Sequence, residues 1–513
     1  MIAQFSSPAK PRQLALPFAD APWPLTRPHL GELAQLEASL PPSVRECEVA
    51  LKYLHLLGPL DWANFPERDP AYPWPGPTPH PRAAYVAAFL VKLHEGKSYM
   101  SQLRDYLAEH PALVWLLGFN LEPSAQFRWG FDVQASLPTA RHFGRVLREL
   151  PNDVLQFPLD NTVALLRAAL PPEVNFGQSG ALDTKHILAW VAENNPKAYI
   201  KESDRLNKER QPKGDPTCKL GCKKKANTAP PSSQTQTEAA HEPPTPTNNP
   251  VRPTNFSASD VYYWGYGSGI VATKVADWGE FTLAELTQPF NRGETTYFFP
   301  LMEQTERRLG FRPPFAAFDK AFDAFYVYQY FAEANGFAAV PFAERGGYHF
   351  DFDEAGLPLC QAGLAMPLRY TFICHTTEVE HERGRYACPL FFPTATGQAC
   401  PLDHKNFAKG GCLTTMSTSA GARIRYQLDR HSQAYQDVYS QRSATERIVR
   451  LRLTKSGGRP EFIEGGIERP KLRRGSAIAN PNTLIYVLLN LRGYHRVCAR
   501  RAELSQGAPP PAG

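Results

Sequence analysis

The apolar positions change period along the chain. Between residues 29 and 175 they recur at helical spacing, over 33–40, 47–57, 83–93, 103–117 and 163–170, with Pro-rich breaks at 66–81 and at Pro123. Ser101, Pro138 and Asp160 stand where helix starts are expected. This pattern predicts an all-helical N-terminal domain over 29–175. From residue 259 the pattern shortens. Residues 262–275 and 279–286 read as two strands joined by a turn at 277–279. A helix over 296–309, a short buried strand at 315–318, a helix over 322–335 closed by Gly336, and a strand at 337–342 follow. That order predicts an α/β core with part of its sheet parallel. Beyond an insert of weak periodicity at 346–435, residues 431–453 and 482–502 read as helices.

Polar and Pro-rich stretches divide these blocks. Residues 1–28 read as a flexible arm and 504–513 as a disordered tail. Residues 205–258 read as a linker, because 228–254 are almost wholly Pro, Thr, Ser, Gln, Asn and Ala and bury too little apolar surface to order themselves. The core is thus expected in pieces: a first strand within 176–204, the main body at 259–345, and C-terminal helices with a basic segment at 436–503. Apolar residues make up 42% of the 513, enough for a buried core. No apolar run approaches the ~20 residues that span a bilayer, and the first residues lack the apolar segment of a secretory signal. A cytoplasmic protein with no membrane partner is expected. The nine Cys then read as reduced thiols or metal ligands rather than a disulfide framework.

Charge is unevenly placed. Residues 1–140 carry 11 basic and 13 acidic side chains, whereas 197–225 carry 10 against 4 and 442–501 carry 14 against 4. Such blocks neutralise phosphates and release counterions, which makes nucleic acid the leading partner class. Within 138–150, Arg141, Arg145 and Arg148 share one helical face opposite Phe143, Val146 and Leu147, a face turned either to solvent or to DNA.

Three acidic residues fall at the ends or faces of these elements. Asp183 follows the apolar Ala181-Leu182, Asp319 terminates the buried Ala316-Ala317-Phe318, and Glu446 shares a helical register with Tyr439, Arg442 and Arg450. Carboxylates at strand ends lie where α/β folds place ligands, and such a trio suits hard divalent cations. Two ions ~4 Å apart would clamp the attacking and leaving oxygens of a phosphodiester. Taken singly the residues also suit ordinary roles: Asp183 and Asp323 as helix caps, Glu446 as a partner of Arg442 and Arg450.

The run from Tyr439 to Glu446 resembles the Y-x2-R-x3-E signature of DDE-type insertion-sequence transposases. Phe318-Asp319-Lys320-Ala321-Phe322-Asp323 and Ala181-Leu182-Asp183-Thr184 are similar to that family's segments for its second and first Asp, and Trp264-Gly265-Tyr266-Gly267 with Ile270-Val271-Ala272-Thr273 to its strand hairpin. The resemblance spans 176–500. It implies an RNase H-like mixed sheet flanked by helices, preceded by the helical domain as a DNA-end-binding unit. It implies a two-metal Mg²⁺ site on Asp183, Asp319 and Glu446, with Tyr439 and Arg442 positioning the transposon-end strand. Where the family carries Lys seven residues after the Glu, this chain has Leu453; Arg450, Arg452 and Lys455 are the nearby phosphate donors. The implied activity is hydrolysis at transposon ends and transfer of the freed 3′-hydroxyl into target double-stranded DNA, by a homo-oligomer in a synaptic complex at the nucleoid. The alternatives are a nuclease of the same fold without strand transfer, and a DNA-binding regulator that has lost catalysis.

The insert holds Cys360, Cys374, Cys388, Cys400 and Cys412 with His375, His381 and His404. Their wide spacing lacks tight C-x2–4-C pairs, so buried inert thiols are expected, with a structural Zn²⁺ as the other reading.

If the basic C-terminal segment lies along phosphates, log K for DNA falls linearly with log salt. Neutralising Arg450, Arg452 and Lys455 together should flatten that slope by up to about 2–3. Filter-binding titrations over a salt series measure it, and an unchanged slope places the DNA path elsewhere.

Overall fold

The computed structural model describes residues 40–68, 79–122, 124–223, 261–291, 293–343, 350–375, 378–455 and 472–506. The arm at 1–28, the helix expected over 33–40 except its last residue, the linker from 224 to 258 and the tail from 507 lie outside the described residues.

The N-terminal region is helical: α1 (Glu48–Leu57), α2 (Arg82–His94), α3 (Met100–Glu109), α4 (Pro111–Leu117), α5 (Ala140–Glu149) and α6 (Asn152–Ala169). The single helix expected over 103–117 is two, because Pro111 lacks an N–H and clashes with the preceding turn; it opens α4 instead. The start expected at Asp160 is also displaced. α6 begins at Asn152 and runs through Pro158, since Val154, Leu155, Leu159, Val163 and Leu166 are all buried along it. That burial outweighs the ~3 kcal/mol of an internal proline. Asp160 instead pairs with Arg308 at 2.5 Å and Arg307 at 3.3 Å.

A six-stranded mixed sheet follows, built from β1 (Ser179–Leu188), β2 (Lys219–Lys223), β3 (Val261–Val275), β4 (Gly279–Pro289), β5 (Phe315–Ala317) and β6 (Phe337–Ala339). The long β3 is antiparallel to β1, β2 and β4, whereas β1, β5 and β6 run parallel in that order. The linker expected from 205 is therefore wrong over 205–223. That stretch folds around Asp215, fully buried, which accepts from Tyr266 Oη at 2.8 Å and from the Cys218 amide at 3.2 Å before the chain enters β2. A short polar segment with one buried carboxylate gives no periodicity to read.

Helices cover both faces. α7 (Phe298–Leu309), α8 (Phe325–Ala332) and the second half of α6 pack on the face of Leu182, Val271 and Leu283. α9 (Ala420–Gln427), α10 (Gln433–Tyr439), α11 (Arg442–Lys455) and α12 (Gly475–Ser505) close the chain. Ile448 of α11 and Leu484–Leu491 of α12 share a second core with Ile270, Ala272 and the N-terminal helices. Residues 40–165 thus lean directly on the sheet. No helix among the described residues is long and apolar enough to cross a membrane.

The insert contributes an antiparallel sheet of β7 (Leu368–Cys374), β8 (His381–Ala387) and β9 (Leu413–Ser417). It is tied to the core through Asp323, whose carboxylate is fully buried. Arg425 on α9 donates to it from Nε at 2.8 Å and Nη2 at 2.5 Å, and the Ala343 amide and Tyr328 hydroxyl donate at 2.7 Å each. Asp323 is therefore no helix cap. Ala324 precedes α8, and the Asp323 oxygens are spent on the guanidinium.

Breaking a buried pair from one side strands the other charge, at about 3–5 kcal/mol. Asp323→Asn should lose that much in urea unfolding, while Asp323→Asn with Arg425→Met should recover a substantial part. Equal losses in the single and double variants would refute the pairing.

Candidate active site

The site is set by strand register. β1 and β5 pair in parallel as Ser179↔Phe315, Gly180↔Ala316 and Ala181↔Ala317. Carried two residues on, the same register sets Asp183 beside Asp319, where β5 has ended and β1 continues. Both side chains alternate away from the core of Leu182 and Phe318. They emerge on the face where Ile270, the antiparallel partner of Asp183, meets Ile448 of α11. Glu446 sits one half-turn before Ile448 on that helix. The two Asp residues and the Glu therefore come to one sheet edge from segments more than a hundred residues apart.

The single helix expected over 431–453 is broken. α10 ends at Tyr439, Ser440 takes its C-cap, and α11 starts at Arg442. Tyr439 and Arg442 therefore flank a helix junction rather than one continuous face, and Tyr439 stacks on Tyr435 at 5.7 Å between centroids. The serines explain the break, since Ser440 and Ser443 hydroxyls bond to Asp437 and Ser440 carbonyls and compete with helix continuation. Arg442 reaches Glu446 Oε1 at 3.2 Å. Thr445 and Ala444 are fully buried beneath it, while Glu446 itself is 59% exposed.

Burial, and after it charge crowding, sets the protonation of these acids. Burial pushes the Asp183 carboxyl up to about 6; the Thr184 amide and Arg442 oppose this, while Asp319 and Glu446 add to it. Burial also raises Asp319, against its bond from the Ala321 amide at 2.8 Å and the charge of Arg442. For Arg442 burial favours the neutral form, but a hydrogen bond to Tyr439 and the charges of Asp183 and Glu446 win and raise it. Arg442 is thus the resident cation among these acids. Among the described residues no three His, Cys, Asp or Glu side chains stand close enough to enclose an ion. Glu446, drawn to Arg442, is the member that would have to swing inward.

A fourth carboxylate was not legible. Glu294, in a short 3-10 turn ahead of α7, is raised to about 7, by burial and then by Asp319, with Asp183 adding and a bond to Thr184 opposing. In sequence it is one acidic residue at a helix start, an ordinary place for negative charge. Only the return of β4 to the sheet edge brings it near.

The other predicted contacts lie apart. Arg141, Arg145 and Arg148 are exposed along α5 over the buried Phe143, Val146 and Leu147, as the periodicity predicts. Arg145 bonds to His142 at 2.8 Å. Arg450, Arg452, Leu453 and Lys455 fall on α11, but their side chains lie outside the described residues. No protein-family profile, no curated protein and no solved structure matches the chain.

A carboxyl whose pKa is raised by folding binds its proton more tightly when folded. Its charge therefore erodes stability as pH climbs from the ordinary Asp value through about 6, and the penalty is complete above that. In chelator, Asp183→Asn should exceed the parent by up to ~3 kcal/mol at pH 8 and lose that advantage by pH 4. A pH-independent difference in urea midpoints would contradict this.

Proposed function

We propose that the protein is a DDE-type DNA transposase with an RNase H-like core, hydrolysing phosphodiesters at transposon ends and joining the freed 3′-hydroxyl to target DNA. One observation carries the reading: β1 and β5 pair in parallel up to Ala181↔Ala317, and Asp183 on β1 and Asp319 two residues past the end of β5 lie close together on the face against which the Glu446 helix packs. Strand order supports it, with an antiparallel β4–β3–β1 meander followed by parallel β5 and β6.

The donor set fits Mg²⁺. Asp183, Asp319 and Glu446 offer only hard oxygens, and burial holds the first two above their usual carboxylate range. A bound pair of ions would stabilise charge on the entering and leaving oxygens of an in-line displacement. The chain's own groups supply the rest. Arg442, between the acids and Tyr439, offers a planar fork to a phosphate and would release Glu446 as it engages. Tyr439, partly exposed at the helix junction, presents a ring on which an unpaired base can stack. Beyond Glu446 the sequence adds Arg450, Arg452 and Lys455, a run of positive charge suited to the phosphates of a bound strand. The outward arginines of α5 offer a second, separate contact for duplex DNA, and end pairing calls for a homo-oligomer.

Glu446→Gln keeps the side-chain shape and removes one oxygen charge. It should fold as the parent does and bind end DNA as tightly or more tightly, while Mg²⁺-dependent cleavage falls by at least ~10³-fold. Asp183→Asn and Asp319→Asn should match it, and double variants should cost little more than singles. Pre-cut ends with a free 3′-hydroxyl should join to a target plasmid. Cleavage without joining would reassign the chain to the nucleases, and full activity in Glu446→Gln would remove the assignment.

A further inference from the structure

The insert is large for the core it owns. The hydrophobic cluster under its sheet is built on only three buried side chains, Met366, Tyr386 and Met416, with six others partly buried around them, Cys360 and Cys412 included. So small a core does not offset the chain entropy of a unit this long, and units of this kind ordinarily carry a covalent or metal staple. The thiols are placed for one. β8 ends at Ala387 and β9 begins at Leu413, and these two residues are cross-strand partners, so Cys388 and Cys412 face each other across the end of the sheet. Gly411 presses so closely that a Cβ there would lie 2.9 Å from Cys388 Sγ.

The other two thiols reach the same place from turns. The Cys360 carbonyl accepts from the Gly363 amide at 2.9 Å, and Gly363 holds a φ of +71°. The Cys388 carbonyl accepts from Phe391 at 3.1 Å, and that of Cys400 from Asp403 at 3.1 Å. Three of the four Cys thus open a tight turn, and the fourth follows Gly410 and Gly411, at φ +99° and +83°. Cys360, Cys400 and Cys412 line one cavity of about 280 Å³. The Cys388 and Cys412 side chains hydrogen-bond to one another. Cys374, by contrast, lies at the far end of β7, paired with His381.

We infer that Cys360, Cys388, Cys400 and Cys412 form a four-thiolate structural Zn²⁺ site that staples the insert. His404 lines the same cavity, but four soft sulfurs suffice to select a tetrahedral ion of this kind. Each thiol gives up its proton on binding, so four protons pass to solvent and the ion joins four thiolates. The sulfurs stand wider than coordination requires, so binding draws the glycine-hinged turns inward. The inference is independent of the transposase reading, because the insert's fold alone is at stake.

The test uses the reduced full-length chain. Titration with ZnCl₂ should give one tightly held ion per chain, and alkylation with and without chelator, followed by mass spectrometry, should find four of the nine thiols whose protection depends on zinc. Those four should be at 360, 388, 400 and 412. CoCl₂ should give intense tetrahedral visible bands with a thiolate charge-transfer band. Cys412→Ser and Cys388→Ser should each weaken zinc retention at least tenfold, whereas Cys374→Ser and Cys498→Ala should not. The alkylation pattern reads the parent chain, so the outcome stands even if a variant fails to fold. No retained zinc, or protection falling on other thiols, overturns the site.

Discussion

One helix holds the molecule together, and amides set its rotation. α12 is buried along most of its first five turns, wedged between the N-terminal helices and the sheet. Apolar side chains alone would let it turn or slide. Asn482 donates to Glu285 Oε1 at 2.9 Å and to Ser268 Oγ at 2.7 Å, and Thr483 donates to Glu285 Oε2 at 2.6 Å. Asn490 donates to the Thr282 carbonyl and accepts from the Thr282 amide, while Asn480 donates to the Leu147 and Leu150 carbonyls. Glu285 is wholly buried, and burial raises it despite these donors. Each of these groups is costly if left unpaired, so only one setting of the helix satisfies all of them. That setting fixes β3 and β4, then β1 through β3, and finally the acids on β1 and β5.

How much of this was legible follows from where the signal was local. The β3–β4 hairpin is visible from alternation and from Asp277 and Gly279, which take left-handed backbone at the turn. α7 and β5 are found within a residue or two, because each is a short apolar block between polar ones. The mixed α/β class follows from their order. The errors come from tertiary contacts. Burial carries α6 through Pro158, serine hydroxyls split the Tyr439–Glu446 segment, and the partner of Asp323 lies about a hundred residues away on α9. For the site, Asp183 and Asp319 were singled out one by one, but their shared register is a property of the pairing. Glu294 had no signal, since its neighbours in space come from other strands.

The electrostatics of the site rest on one guanidinium. Arg442 lies near Asp183, Asp319 and Glu446 and partly offsets their charge, while Glu294 adds to the crowding from the side of Asp319. Like charges this close favour proton uptake when no cation is near. Arg442 and Glu446 are one turn apart on the same helix, so whatever engages the guanidinium also bears on that acid.

The antiparallel pair Lys223↔Val261 has a consequence for the size of the chain. Whatever runs between residues 223 and 261 leaves and re-enters the sheet about 5 Å apart. Its closure entropy grows only with the logarithm of its length, roughly 0.6 kcal/mol for each doubling. The sheet therefore tolerates a long peptide spliced between those two positions, which makes them the natural port for grafting a tag or a whole foreign domain without moving Asp183 or Asp319.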